Sequence, residues 1–567
     1  MSRKSLKLAT AVALTAGMVV SASACSSSSK SPSTNPTTQV QSHANDINPV
    51  DAATLKQGGV LNFPVDQYST QWNNLQADSQ NELSIFDTLG PMMPSLWHAS
   101  ADNKLSPNTD FLTSATVATV GGKQVTTYEL NPKGKWSDGT PISWKDFQAI
   151  WQADNGVNTK YNPYATTGYS QIESVAQGKD QFEVVVTYKT PFADWQSLFS
   201  TLFPASQIGT VDGFNNSYKG KIPVTGGPYK LQKMDATTKV VTEVRDPNWW
   251  GTKPVLDTIN FRTLTPDATP GAFASGEIDL MDIGPDTAAY KKAKSVSNTT
   301  IHVSGGWALR HAVINGKSPF FSDKTVRQAV FEAINRDAVG KSDLAGLPWP
   351  IAPLNNHFFV NNQAGYQDTA GPLGQYNVAD AKAKLDAAGW KVGSDGIRAK
   401  DGKQFVINME IPAGVAVATN ESQLFTSMLQ AVGIKVTVTQ GQGDAFFNDL
   451  TAGKFDLTVF SGIGVAPIFT LSNQEASFLN PTAQGIGANF SRIGSPEIDA
   501  AMNKAGNDTD FTQYNADINA ADKMIWDLGV DLPLYQRPQI VATKSALANY
   551  GAFGFQDIDW TKIGFTK

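Results

Sequence analysis

Apolar and polar positions along this chain follow two rhythms. Gly59–Phe63 (GVLNF) and Phe182–Tyr188 (FEVVVTY) have the β-branched and aromatic density of strands. Ser322–Val339 sets Val326, Ala329, Val330, Ala333 and Ile334 three and four residues apart, which predicts one helix capped by Ser322 or Asp323. A second helix is predicted from Val378 to Ala388, stopping at Gly389. A third covers Glu421–Val432, stops at Gly433 and is followed at once by the strand IKVTVTQ. The next stretch, FNDLTAGKFDLTVFSG, repeats helix then strand. Strands alternating with helices predict α/β lobes with partly parallel sheets. No solenoid period repeats.

The N-terminus departs from this texture. Arg3, Lys4 and Lys7 precede an apolar run from Leu8 to Val20, too short to span a hydrocarbon layer of about 30 Å. Small residues 21–24 then lead to Cys25, the pattern of a secretory signal peptide over residues 1–24. A lone exposed thiol in a secreted chain is a liability, which favours a lipidated Cys25 over an ordinary cleavage. Residues 26–55 are rich in Ser, Thr, Pro and Asn without apolar period, so 25–57 is expected to be a lipidated cysteine and disordered tether. No later stretch approaches 18 consecutive apolar residues.

Composition narrows the chemistry. At about 150 residues per domain, 567 residues predict three to four domains. A formal charge of −6 argues against nucleic-acid binding. One cysteine excludes an internal disulfide framework, and five scattered histidines make a metal site a poor expectation. No phosphate loop, G-x-G-x-x-G, G-x-S-x-G or H-E-x-x-H occurs. Glu277, Asp279 and Asp282 cluster, but short acidic runs at turns and strands are usually solvated or capping. His302 and His311 fit no ligand spacing and are expected to be structural. The chain offers binding surfaces and no reactive centre: no enzyme, no cofactor, no metal.

Several segments together resemble one family, the extracellular solute-binding proteins of ABC importers in the oligopeptide- and dipeptide-binding class. KWSDGTPISWKDF (Lys135–Phe147) reads as a strand, an Asp138-Gly139 turn and a helix opened by Ser143. Thr225–Tyr229 (TGGPY), Arg245–Lys253 (RDPNWWGTK), Phe273–Leu280 (FASGEIDL) and Pro319–Asp337 (PFFSDKTVRQAVFEAINRD) follow in family order, as do Ala387–Trp390 and Asp395-Gly396. The resemblance implies an α/β, two-lobed hinged periplasmic-binding-protein clamshell of the large three-domain, type II form. Lobe one would comprise 58–86, 218–305 and 536–567. A smaller domain would be inserted at 87–217, and lobe two would cover 306–535.

It also implies the work: capturing a solute, a peptide first of all, and delivering it to permease and ATPase subunits as a monomeric lipoprotein. Closure on the ligand is the signal an importer can read. In peptide-binding relatives an aspartate of lobe two receives the ligand's α-amino group. The matching segment here, GIGVAPIFTLSNQEASF after FDLTVFS, has no aspartate, which leaves an oligosaccharide or another amphiphilic solute open. A non-transporting sensor and a secreted hydrolase are further alternatives. Family geometry implies a pocket from Trp72, Asn73, Trp307 and Arg310, with Ser461, Gly462, Ile463 and Gly464 at a strand end and Gln474 and Asn489 beyond. Trp136, Trp144, Trp249 and Trp250 are expected to pack the scaffold.

Overall fold

The computed structural model describes residues 45–79, 83–442, 444–462, 470–482 and 485–567. The expected signal segment, Cys25, Ile463 and Gly464 lie outside the described residues.

A four-stranded sheet is ordered Val60–Val65, Thr258–Thr263, Val240–Arg245, Tyr229–Asp235. Its first pair is parallel and the rest antiparallel. A second four-stranded sheet, wholly antiparallel, joins Leu112–Val120, Lys123–Leu130, Glu183–Tyr188 and Ile172–Gln177. Gly121 and Gly122 close its first hairpin, both at positive φ (58° and 80°), which the tightest two-residue turn demands. Every second residue of Lys123–Leu130 is buried, so one face of this sheet meets the core. Helix Trp144–Asp154 packs against that sheet. The Asp146 carboxylate accepts from the Ser143 N–H (2.8 Å), the Trp136 indole (3.2 Å) and the Ala205 N–H (2.7 Å). Around Lys135 only a single bridge to Pro141 forms, not a full strand. Apolar side chains of both four-stranded sheets share one buried cluster with residues 541–563.

The third large sheet has six strands, ordered Leu280–Asp282, Asp531–Lys544, Thr299–Ile314, Leu457–Gly462, Val406–Pro412, Lys435–Gly441. Thr299–Ile314 and Asp531–Lys544 run antiparallel through the whole molecule, bonded to Leu280–Asp282 at one end and reaching Leu457–Gly462 at the other. Helices 324–333, 336–343, 378–387 and 416–431 contribute to the core of this half. Apolar residues from Ala272 to Ala293 join that second cluster, because Leu280–Asp282 extends the same sheet. Two helices, Pro496–Gly506 and Phe511–Leu528, pack on one another beside a third cluster with Phe358, Phe359 and Phe478.

Two expectations are corrected. The helix predicted over 322–339 is two helices, because Ile334 turns extended (φ −93°, ψ 116°) and the Asn335 side chain caps a new helix through the Ala338 N–H. The tether does not reach residue 57. From Asn45 the chain is packed: Asp46 bridges to Ala552, Lys56 to Phe565, and Leu55 is buried against Val255 and Ala548. Apolar Leu55 and the side chain of Asp46, rather than the polar average of the segment, decide its state.

Candidate functional site

The strand Thr299–Ile314 sends consecutive residues to opposite faces of the sheet, and at Arg310 and His311 both are charged or polar. The register slips here. Arg310 faces Tyr535 while His311 faces Pro533, leaving Leu534 as an extra residue. Pro533 has no N–H to give a ladder, which suits a bulge.

On one face Arg310 is spent on structure. Its Nε donates to Glu421 at 2.8 Å and its Nη2 to the other Glu421 oxygen, while Nη1 reaches Ser461 Oγ at 3.3 Å. Both partners are buried, at 3% and 0% side-chain exposure. Asp343 lies in the same cluster and accepts from the Tyr535 hydroxyl at 3.1 Å. Burial, then the Glu421 charge, push the Asp343 carboxyl up to about 9. A protonated Asp343 leaves one carboxylate for one guanidinium, so this face is electrically closed.

The other face is open. His311 Nδ1 lies 3.0 and 2.8 Å from the two Asp531 oxygens, and its ring meets Phe460 edge-on with centroids 4.4 Å apart. His311 is 9% exposed, yet Nε2 has no hydrogen-bond partner among the described residues. A buried polar atom in that condition costs about 1–3 kcal/mol. His311 and Asp531 line a cavity of about 130 Å³, walled by Phe460, Phe478 and Phe490, with Gln474, Ser477 and Ser491 as polar lining. Gly462 lines it too, and a Cβ there would sit 3.5 Å from His311 Nε2. No lysine or arginine lines it among the described residues.

Of the expected pocket residues, Gly462 and Gln474 line this cavity, with Ser461 and Arg310 directly behind it. Asn489 is next to its wall but fully buried, with Nδ2 donating to Leu479 O and Ile493 O to hold the loop 479–493. Trp307 packs with Leu309, Leu354, Val360 and Phe555 on the long strands. Trp72 and Asn73 are elsewhere: Trp72 is 2% exposed in the first core and edge-on to Tyr68, and Asn73 donates to Phe214 O. The pattern of residues alone does not bring together His311 and Asp531, which are 220 positions apart. Their one signal was the adjacent pair Arg310-His311 within the otherwise apolar stretch Ala308–Ile314. His302, by contrast, is structural as expected, bonded to Asp46 and Thr543. Glu277, Asp279 and Asp282 are scaffold as well. Glu277 pairs with Arg262, Asp279 with Lys544 and the Asn62 N–H, and Asp282 bonds the Gly284 N–H.

Close to the cavity the two halves of the molecule touch. Asp194, beside the second sheet, accepts from Tyr514 Oη (2.7 Å), Ser472 Oγ (2.6 Å) and the Ser472 N–H (3.0 Å). The Ala193 N–H donates to Gly506 O at 2.7 Å. Glu475 is held there as well, and burial, then the Asp194 charge, push its carboxyl up to about 7.

A family model described as bacterial extracellular solute-binding proteins, family 5 middle, matches residues 112–483. The chain is 33% identical over 529 residues to the oligopeptide-binding protein OppA of Mycobacterium tuberculosis, across 92% of this chain and 87% of that one. Among solved structures, a periplasmic EDTA-binding protein, EppA, superposes with a TM-score of 0.82 at 26% identity, over 92% of this chain and 98% of that one. AppA from Bacillus subtilis, in complex with a nonapeptide, superposes with a TM-score of 0.76 at 20% identity, over 90% and 100%. The architecture is therefore the two-lobed α/β clamshell expected. No helix of the described residues is long and apolar enough to cross a membrane.

Proposed function

Because this chain belongs to the bacterial extracellular solute-binding proteins of family 5, a family of binding proteins and not of enzymes, we propose that it captures a peptide between two lobes and delivers it to the permease and ATPase subunits of an ABC importer. The observation that carries this reading is likeness to an oligopeptide-binding protein along nearly the whole chain. In this reading 306–535 moves against the rest, the long strands Thr299–Ile314 and Asp531–Lys544 flex between them, and the Asp194 contacts form as the mouth shuts. The protein acts as a monomer, held at the outer face of the cytoplasmic membrane by a lipid on Cys25.

A thermal-shift screen of the purified protein with tetrapeptide pools, oligosaccharides and divalent cations tests the ligand class. A peptide at 100 times its Kd stabilises the protein by about 2.7 kcal/mol, a visible rise in Tm. A rise with oligosaccharides alone overturns the peptide reading. Cys25→Ser releases the protein from membranes into the soluble fraction. Membrane retention of that variant refutes the lipid anchor.

A further inference from the structure

Where the two halves of the molecule touch, carboxyl groups face hydroxyl groups. Asp194, 7% exposed, spends its oxygens on neutral donors of the other half, the Ser472 hydroxyl and N–H and the Tyr514 hydroxyl. Three residues beyond Ser472, and so on the same side of its turn, stands Glu475. Its carboxyl group reaches back across the contact to the Thr167 hydroxyl, beside the turn Tyr169–Gln171, and lies in the field of Asp194. Each half thus offers one carboxyl group to the hydroxyls of the other.

The cations of the elements packed here are committed elsewhere. Lys504, on the helix Pro496–Gly506, pairs with Asp517, and His357, whose ring meets Phe478, is held by Asp522. Lys189 donates to Ser170 O, and the Asp499 carboxylate accepts from the Asn480 N–H. Among the described residues no lysine, arginine or histidine lowers the carboxyl group of Asp194 or Glu475. Two carboxyl groups brought together without a cation cannot both ionise freely. Burial raises Asp194, but its donors work to keep the charge there. Glu475 has one hydroxyl, and burial, then the Asp194 charge, push its carboxyl up to about 7. The proton therefore sits on Glu475 while the contact stands. When the contact parts, water replaces Asp194 and Glu475 ionises as an ordinary carboxyl group.

We propose that closing the lobes takes up a proton, which Glu475 carries against Asp194, so that the protein holds its solute more tightly in mildly acid than in mildly alkaline surroundings. The proposal rests on the reading that the Asp194 contacts form as the mouth shuts, and not on what the solute is. The closed state has the higher carboxyl value, so it gains on the open one as pH falls through about 7, and stops gaining below the ordinary carboxyl value.

Isothermal titration with tetra-alanine reads the effect. Between pH 6 and pH 8 affinity falls about 10-fold more in the wild type than in Glu475→Gln, a comparison in which the peptide's own ionisation cancels. At pH 7 the wild type takes up about half a proton more per peptide bound than the variant, seen as a heat that differs between phosphate and Tris buffers. Asp194→Asn keeps an acceptor for Tyr514 but removes the charge, and moves the midpoint below 7 without abolishing it, since burial is the larger cause. Glu475→Ser serves if the glutamine variant fails to fold. Equal pH profiles in the wild type and Glu475→Gln, or equal proton uptake, overturn the proton-linked closure while leaving peptide capture standing.

A second measurement does not need a peptide. In small-angle X-ray scattering the radius of gyration of the wild type is smaller at pH 6 than at pH 8, and that of Glu475→Gln does not change. Where neither tetra-alanine nor tetrapeptide pools bind at either pH, that contraction keeps the proton-linked closure and overturns the peptide reading. A radius equally insensitive to pH in both proteins then overturns the closure as well.

Discussion

Two histidine–aspartate pairs share the second half of this protein and even touch, since His357 Nε2 donates to the backbone carbonyl of Asp531 (2.9 Å). They are built for different ends. Asp522 accepts from the His357 ring (2.8 Å), the His357 N–H (2.9 Å) and the Thr369 hydroxyl, and the N–H and both ring nitrogens of His357 are used. With acceptors at both nitrogens, the ring holds both protons. Burial acts to lower its pKa, but the Asp522 charge and hydrogen bond outweigh that and raise it above the ordinary histidine value. His311–Asp531 has the same two residue types and one bond fewer. Saturation makes the first pair a fastener, whereas the second leaves His311 Nε2 unpartnered among the described residues, beside the cavity.

The largest effect that tests this contrast is on stability. Asp522→Asn strips a buried imidazolium of its counter-charge and costs about 3–5 kcal/mol in denaturant unfolding. Asp531→Asn still offers an oxygen to His311 Nδ1 and costs about 1 kcal/mol. Equal losses would erase the distinction. The pH dependence has a definite sign. A histidine whose folded pKa is raised stabilises fully below its unfolded value near 6.5, and that stabilisation is lost as pH rises through the raised value. The wild type therefore loses unfolding free energy toward alkaline pH that a His357→Asn variant does not.

How far each pair was visible beforehand follows from what made it. The helix opened by Ser143, the strand at 435–441 and the halt at Gly433 are local: a cap, an alternation and a left-handed glycine (φ 85°) stand in the residues themselves. The ordered landmarks fixed the clamshell for the same reason. Trp72 and Asn73 were placed in a pocket because they follow the first strand, yet which face a loop turns inward is decided by partners such as Tyr218 and Phe214, more than 140 positions away. His311 was read as structural because histidine spacing carries no trace of an aspartate two hundred residues downstream. Gly462 and Gln474 line the cavity because a strand's end and the loop after it are where a cleft opens.

A smaller effect sharpens the comparison from the side of closure. Tyr514→Phe removes the hydroxyl that donates to Asp194 and leaves Ser472 in place. Peptide affinity falls about 10-fold by titration calorimetry. Unchanged affinity would remove the Asp194 bridge from closure.

The smallest effect concerns Glu475, flanked by Gln474 and Ser477 of the cavity wall. Its carboxyl is raised to about 7, so its contribution is fully present below the ordinary carboxyl value and is lost as pH rises through about 7. Tm therefore falls between pH 6 and pH 8 by more in the wild type than in Glu475→Gln, as differential scanning fluorimetry reads. Parallel curves would remove Glu475 from the pH response.

The packed segment from Asn45 has a mechanical meaning. Asp46 bonds His302 and the Val303 N–H at the root of the long strand Thr299–Ile314, and residues 46 and 56 are bridged to 552 and 565 near the other terminus. In the proposed reading, a pull applied upstream of residue 45 would be delivered to the root of the long strand Thr299–Ile314, in shear across several bonds, and not to the half proposed to swing. A protein anchored as proposed through Cys25 would be dragged along a surface without its jaw being pulled open.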